Sequence, residues 1–187
     1  MPSRRLLVPL LLLVLTVAVT ACGSSDDAQT PSGKQLACVP SELDTIAGNA
    51  LTVGTSQPAE APYFVDGAPQ NGEGFESAVT YAIAQQLGLE AGQVKWVPVP
   101  IDDALASGEK KFDFDINEIA ITSQRQQSVD FSTPYYTGAD RPWGVVMVKG
   151  SNLKACVDQA IGKLQASGEL QRITDQWLGS AKAPTSN

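Results

Sequence analysis

Arg125 lies in the run ITSQRQQSVDFSTPYY, between glutamines and just ahead of a valine, a phenylalanine and two tyrosines. Its guanidinium is a planar fork of donors that matches a carboxylate in bidentate geometry and stays charged at any relevant pH. The chemistry it suggests is anion anchoring; the plainer alternative is a surface ion pair with Asp130. Asp113, Asp115 and Glu118 could serve as paired carboxylates for acid–base work, but the solvated or loop-facing side of a strand accounts for them more simply. The chain has no histidine. That removes Ser-His-Asp and Cys-His nucleophiles and every histidine metal site, so neither catalysis nor a metal is expected. No phosphate cradle is indicated either, because Gly72 and Gly74 lack a third glycine and a preceding strand.

These residues must be positioned by elements that the hydrophobic pattern outlines. Leu51–Thr55 reads as a strand, and a loop rich in Pro, Gly and Asn carries it to Gly74. Phe75, Ala78, Val79, Ala82, Ile83 and Leu87 recur at helical spacing, and Gly88 ends the pattern. Val94–Val99 reads as a second strand, edge-like because of Pro98, and Ile101–Ser107 as a short helix. Phe112 to Ile116 alternates, which predicts Phe112, Phe114 and Ile116 on one face with Asp113 and Asp115 on the other. Gly144–Val148 is a further strand. Leu153, Val157, Ala160, Ile161 and Leu164 mark one helix, and Leu170, Ile173 and Trp177 mark the last. Strands alternating with helices predict an α/β fold with three layers, a mostly parallel sheet flanked by helices.

The N-terminus points to export. Arg4 and Arg5 precede an apolar run from Leu6 to Val19, and Val19-Thr20-Ala21-Cys22 closes it with small residues. Residues 1–21 are therefore read as a signal peptide, too short in apolar length for a spanning helix. Ending on a cysteine resembles the lipobox of bacterial lipoproteins, in which Cys22 would be lipidated and residues 22–36 would tether the domain to the membrane. About 165 residues then remain, enough for one core over 37–180 followed by a disordered tail at 181–187. Losing Arg4 and Arg5 leaves 11 basic against 20 acidic residues, a formal charge of −9. That excludes nucleic acid as a partner and leaves the lipid as the only membrane contact. Cys38 and Cys156, outside the cytoplasm, are read as a disulfide, the alternative being two buried thiols.

Three stretches resemble the extracytoplasmic solute-binding proteins of polar amino-acid ABC transporters, family 3. GFESAVTYAIAQQLGL is similar to the family's G-[FY]-[DE] helix. FDFDINEIAITSQRQQSVDFSTPYY is similar to its strand, ligand loop and T-x-x-R motif, and LKACVDQAIGKLQASGELQRITDQWLG to its C-terminal helices. The resemblance implies a type II periplasmic-binding-protein-like fold, normally two lobes around a small ligand. Relatives insert the second lobe after the Tyr-Tyr motif. Here only TGADRP follows Tyr135 and Tyr136, so the chain reads as the first lobe only, with the second deleted near 137–142.

The resemblance also implies roles. Arg125 would grip the α-carboxylate of an amino acid, helped by Thr122 and backbone N–H groups around Ala120, and Tyr63 or Phe64 would cover the ligand. The acid that meets the α-ammonium usually belongs to the second lobe, so that charge is expected to stay in water. Glu60 stands where many relatives carry another aromatic, Ala120 where a hydroxyl residue is common, and Ala78 where the helix motif has a second acid. The implied function is a lipid-anchored binding protein for an amino acid, without cofactor, that serves an ABC permease. The alternative is a non-transport interaction module that docks a protein or a second copy through the exposed interlobe face.

Overall fold

A computed structural model describes residues 37–138 and 140–179. The signal segment, Cys22, the tether and the 181–187 tail lie outside the described residues. The first strand, β1 (Leu51–Thr55), is buried along its whole length. It pairs in parallel with β2 (Val94–Pro98) on one side and with β3 (Phe114–Asp115) on the other. Between them come α1 (Phe75–Gln86) and the short α2 (Ile101–Leu105). Beyond β3 the chain forms β4 (Val129–Phe131), the ribbon of β5 (Tyr136–Thr137) with β6 (Pro142–Trp143), and β7 (Val146–Val148). The order across the main sheet is β2-β1-β3-β7-β4, and β7 is antiparallel to both its neighbours.

The sheet is therefore mixed, parallel in the half built on β1 and antiparallel in the half built on β7. The reason is chain length. Parallel neighbours need a crossover of a dozen or more residues, which α1 and α2 supply, whereas β4 returns to β7 through the short β5–β6 ribbon. One face carries α1, α3 (Lys154–Ala166) and α4 (Glu169–Trp177), packed through Phe75, Val79, Ile83, Val157, Ile161 and Ile173. Each such side chain contributes about 1.5–3 kcal/mol on burial. The other face holds a smaller cluster, which includes Val99, Ala104, Phe131 and Val146, under α2. Cys38 and Cys156 form a disulfide with Cα atoms 5.3 Å apart, tying the segment before β1 to α3.

The reading of the 112–116 stretch needs correction. Phe114 and Ile116 join the helix-side core, but Phe112 belongs to the opposite cluster. Asp113 and Asp115 are buried, at 6% and 0% exposure, not solvated. β3 is the central strand of five, so both of its faces are covered. Asp113 accepts hydrogen bonds from the N–H groups of Ile46 at 2.8 Å and Thr52 at 2.6 Å. Asp115 has no partner for either oxygen, and its burial pushes the carboxyl up to about 8. Gly54 on β1 makes room for it, since a Cβ there would lie 2.6 Å from Asp115 Oδ2.

Candidate functional site

The segment that leaves β3 toward β4 carries Arg125. Ala120 sits opposite Trp143 in an antiparallel bridge. The flanking bonds run from Ile121 N–H to Pro142 O at 2.9 Å and from Gly144 N–H to Ile119 O at 3.2 Å. Those bonds bracket Ala120, so its own N–H and C=O turn to the opposite edge of the segment. Arg125 meets it on that edge, its Nη1 donating to the Ala120 carbonyl at 2.8 Å. The turn that presents the guanidinium is held by Thr122, whose Oγ1 accepts the Arg125 backbone N–H at 3.2 Å. Thr122, Ala120 and Arg125 are thus brought together.

The ion pair with Asp130 does not form. Asp130 instead receives Lys149 Nζ at 2.9 Å and the Gly150 N–H at 2.8 Å. Among the described residues no carboxylate pairs with Arg125.

The two aromatic candidates point to different places. Phe64 is in the core at 2% exposure, edge-on to Trp96 at 5.7 Å. Tyr63 meets Trp143 edge-on at 5.9 Å, and Trp143 packs on Tyr136 at 4.6 Å. Tyr63 therefore stands beside the strand that pairs with Ala120, and Phe64 does not. Gly74 fixes this arrangement: its φ is +101°, and a Cβ there would fall 2.3 Å from the Tyr63 carbonyl. The Tyr63 carbonyl in turn accepts the Glu76 N–H at the start of α1.

Beneath Tyr63 lies an acidic group that the sequence reading did not assemble. Glu76 is wholly buried, and its Oε1 accepts the Glu118 N–H at 2.6 Å and the Tyr135 hydroxyl. Burial, reinforced by the Glu118 charge, pushes the Glu76 carboxyl up to about 8. Glu118 is half-buried, and burial followed by the nearby Glu60 raises it as well, against the lowering effect of Tyr63. The Tyr63 hydroxyl is buried without a hydrogen-bond partner, and burial, reinforced by the Glu118 charge, drives it well above its ordinary range. An acid one residue into the first turn of α1, and a tryptophan three residues before β7, were the available signals for Glu76 and Trp143.

Residues 51–180 match the model of the bacterial extracellular solute-binding proteins, family 3. The chain belongs to this family. The L-cystine-binding protein TcyJ of Escherichia coli is 36% identical over 77 residues, 40% of this chain, and the match spans only 27% of that protein. Among solved structures, an ancestral arginine-binding protein bound to glutamine superposes with a TM-score of 0.59 at 19% identity, covering 70% of this chain and 98% of that one. The arginine-, lysine-, histidine-binding protein ArtJ of Geobacillus stearothermophilus gives 0.58 at 19%, covering 70% and 96%. A point mutant of domain 1 from TmArgBP, in its arginine-bound form, gives 0.51 at 29%, covering 63% and 92%. The fold is that of a type II periplasmic binding protein, and the chain holds its first lobe only. No helix of the described residues is long and apolar enough to cross a membrane.

Proposed function

We propose that this chain is an extracytoplasmic binding protein for an amino acid, anchored through lipidated Cys22 and serving an ABC importer, with Arg125 as the carboxylate anchor. The observation that carries it is the Arg125–Ala120 pair: a guanidinium held by a backbone carbonyl at 2.8 Å, with no acid partner among the described residues. The Ala120 N–H turns to the same edge, so a carboxylate there would receive charge-assisted bonds from both. Thr122 orients the turn, and Tyr63 supplies the covering aromatic face.

The β5–β6 ribbon supports a first lobe closed on itself. Tyr136 pairs with Trp143 and Thr137 with Pro142, where relatives would depart into the second lobe. One lobe covers one side of a ligand, whereas pockets ordinarily bury 70–90% of it. A site worth roughly 8 kcal/mol that lost half its contacts would bind in the millimolar range. The neighbouring domain 1 from TmArgBP in its arginine-bound form supports ligand binding by a single lobe.

Trp143 lies beside the site and serves as the reporter. Titration of the purified protein with the common amino acids, followed by tryptophan fluorescence up to ~10 mM, should give a saturable change with at least one of them. A flat signal with all of them would overturn the proposal.

A further inference from the structure

An acid stands in the apolar cluster under α2. Asp115 is in register with Gly54 on β1 and Val146 on β7, and its side chain turns to the face that carries Val99, Ala104, Phe112 and Ile119. Buried polar atoms are almost always hydrogen-bonded, yet both of its carboxyl oxygens are buried without a partner. The ammonium that acts on Asp115 is that of Lys110, on the loop after α2. It is engaged elsewhere: Lys110 Nζ donates to the Asp103 carbonyl at 2.8 Å and to the Ala106 carbonyl. Asp103 lies in the last turn of α2 and Ala106 is its C-terminal cap residue, so the lysine closes the end of a five-residue helix.

One half-buried ammonium thus has two claimants. We propose that Lys110 is a latch that holds the end of α2 while Asp115 is neutral and moves to the Asp115 carboxylate when that group ionises, so that α2 loosens from the sheet as pH rises. Two physical arguments support it. An ionised carboxylate buried without a partner is strongly disfavoured, and no N–H or hydroxyl donor reaches Asp115, so ionisation has to recruit a cation or open the cluster. A helix of five residues does not hold itself, since nucleation costs more than so few hydrogen bonds return, and α2 depends on its packing and on Lys110.

The surrounding charges set the direction. β1 and β7 bring no titratable group to Asp115, and α2 brings Asp102 and Asp103, both exposed. The loop after α2 brings Lys110 between the exposed Glu109 and Lys111, and α1 brings Glu76, which repels the Asp115 charge from the other face of the sheet. Asp113 on β3 is bonded to backbone N–H groups, and Asp130 on β4 is paired with Lys149. Burial holds the Asp115 carboxyl up to about 8, so the latch sits on α2 below that pH and leaves it above.

Hydrogen exchange read by NMR tests this at two amides of α2 and its cap, Ala104 N–H, bonded to Pro100 O, and Ala106 N–H, bonded to Asp102 O. Val53 on the buried strand β1 is the internal reference. Between about pH 6 and about pH 9.5, after correction for the intrinsic effect of pH, protection at Ala104 and Ala106 should fall about tenfold or more while Val53 stays protected. Asp115→Asn should abolish the fall, and Asp115→Val, which suits the apolar cluster, is the second variant should the amide disturb packing. Lys110→Met keeps the stem and removes the donors, so its α2 amides should already be weakly protected at about pH 6. Wild-type protection at Ala104 and Ala106 that ignores pH would overturn the proposal. So would a fall that Val53 shares, which is global unfolding, a fall that persists in both Asp115 variants, or full protection of α2 in Lys110→Met.

Discussion

Arg125 donates to the carbonyl of Ala120 at 2.8 Å, five residues back along its own loop, while Thr122 accepts its backbone N–H. The guanidinium is thus fixed before any ligand arrives, which lowers the ordering cost of binding. Removing the Thr122 hydroxyl loosens the turn without removing the charge. Thr122→Val should therefore weaken amino-acid binding by less than tenfold and cost about 1 kcal/mol of stability, read from denaturant midpoints.

The Cys38–Cys156 bridge spans 118 residues of sequence. Closing so long a loop restricts the unfolded chain, and removing a native bridge of this kind costs roughly 2–5 kcal/mol. The double variant Cys38→Ser, Cys156→Ser should unfold at a lower guanidinium concentration. An unchanged midpoint would show that the tie to α3 is dispensable.

Asp115 and Glu76 make stability depend on pH. Burial raises both carboxyls from near 4 to about 8 in the folded protein. The folded state therefore keeps protons that the unfolded chain releases above about pH 4. Their stabilising contribution is complete in acid, falls as pH rises from about 4, and is lost once pH passes about 8. Thermal unfolding should occur at a lower temperature at pH 8 than at pH 5, by an amount worth at least ~1 kcal/mol. Asp115→Asn should flatten that dependence; a wild-type profile with its maximum at alkaline pH would contradict it.

Gly74 has φ +101°, and a Cβ there would collide with the Tyr63 carbonyl at 2.3 Å. Gly74→Ala should destabilise by at least ~2 kcal/mol and displace Tyr63 from Trp143. The second effect is visible as a shift in tryptophan emission.

The hydrophobic spacing made β1, β2, β7, α1, α3 and α4 legible, because each buries one continuous face or run. Period-two alternation misled at β3, where it predicts a solvated side. The central position of that strand, which depends on pairing with β7 across 30 residues of sequence, buries Asp113 and Asp115 instead. The turn that joins Thr122 to Arg125 was legible because its two residues lie three apart in one short motif. The acidic cluster was not, since Glu76, Glu118 and Tyr135 lie 42 and 59 residues apart along the chain and meet only through packing. Of the adjacent aromatics Tyr63 and Phe64, sequence could not decide which faces Trp143 and which fills the core.

The central claim is that Arg125 grips a carboxylate, and calorimetric titration of the wild-type protein against Arg125→Ala and Arg125→Lys tests it most directly. Lysine keeps the charge but loses the fork, so Arg125→Lys should bind an amino acid about tenfold more weakly, and Arg125→Ala should give no measurable heat. An Arg125→Ala protein that binds as tightly as wild type would contradict the account.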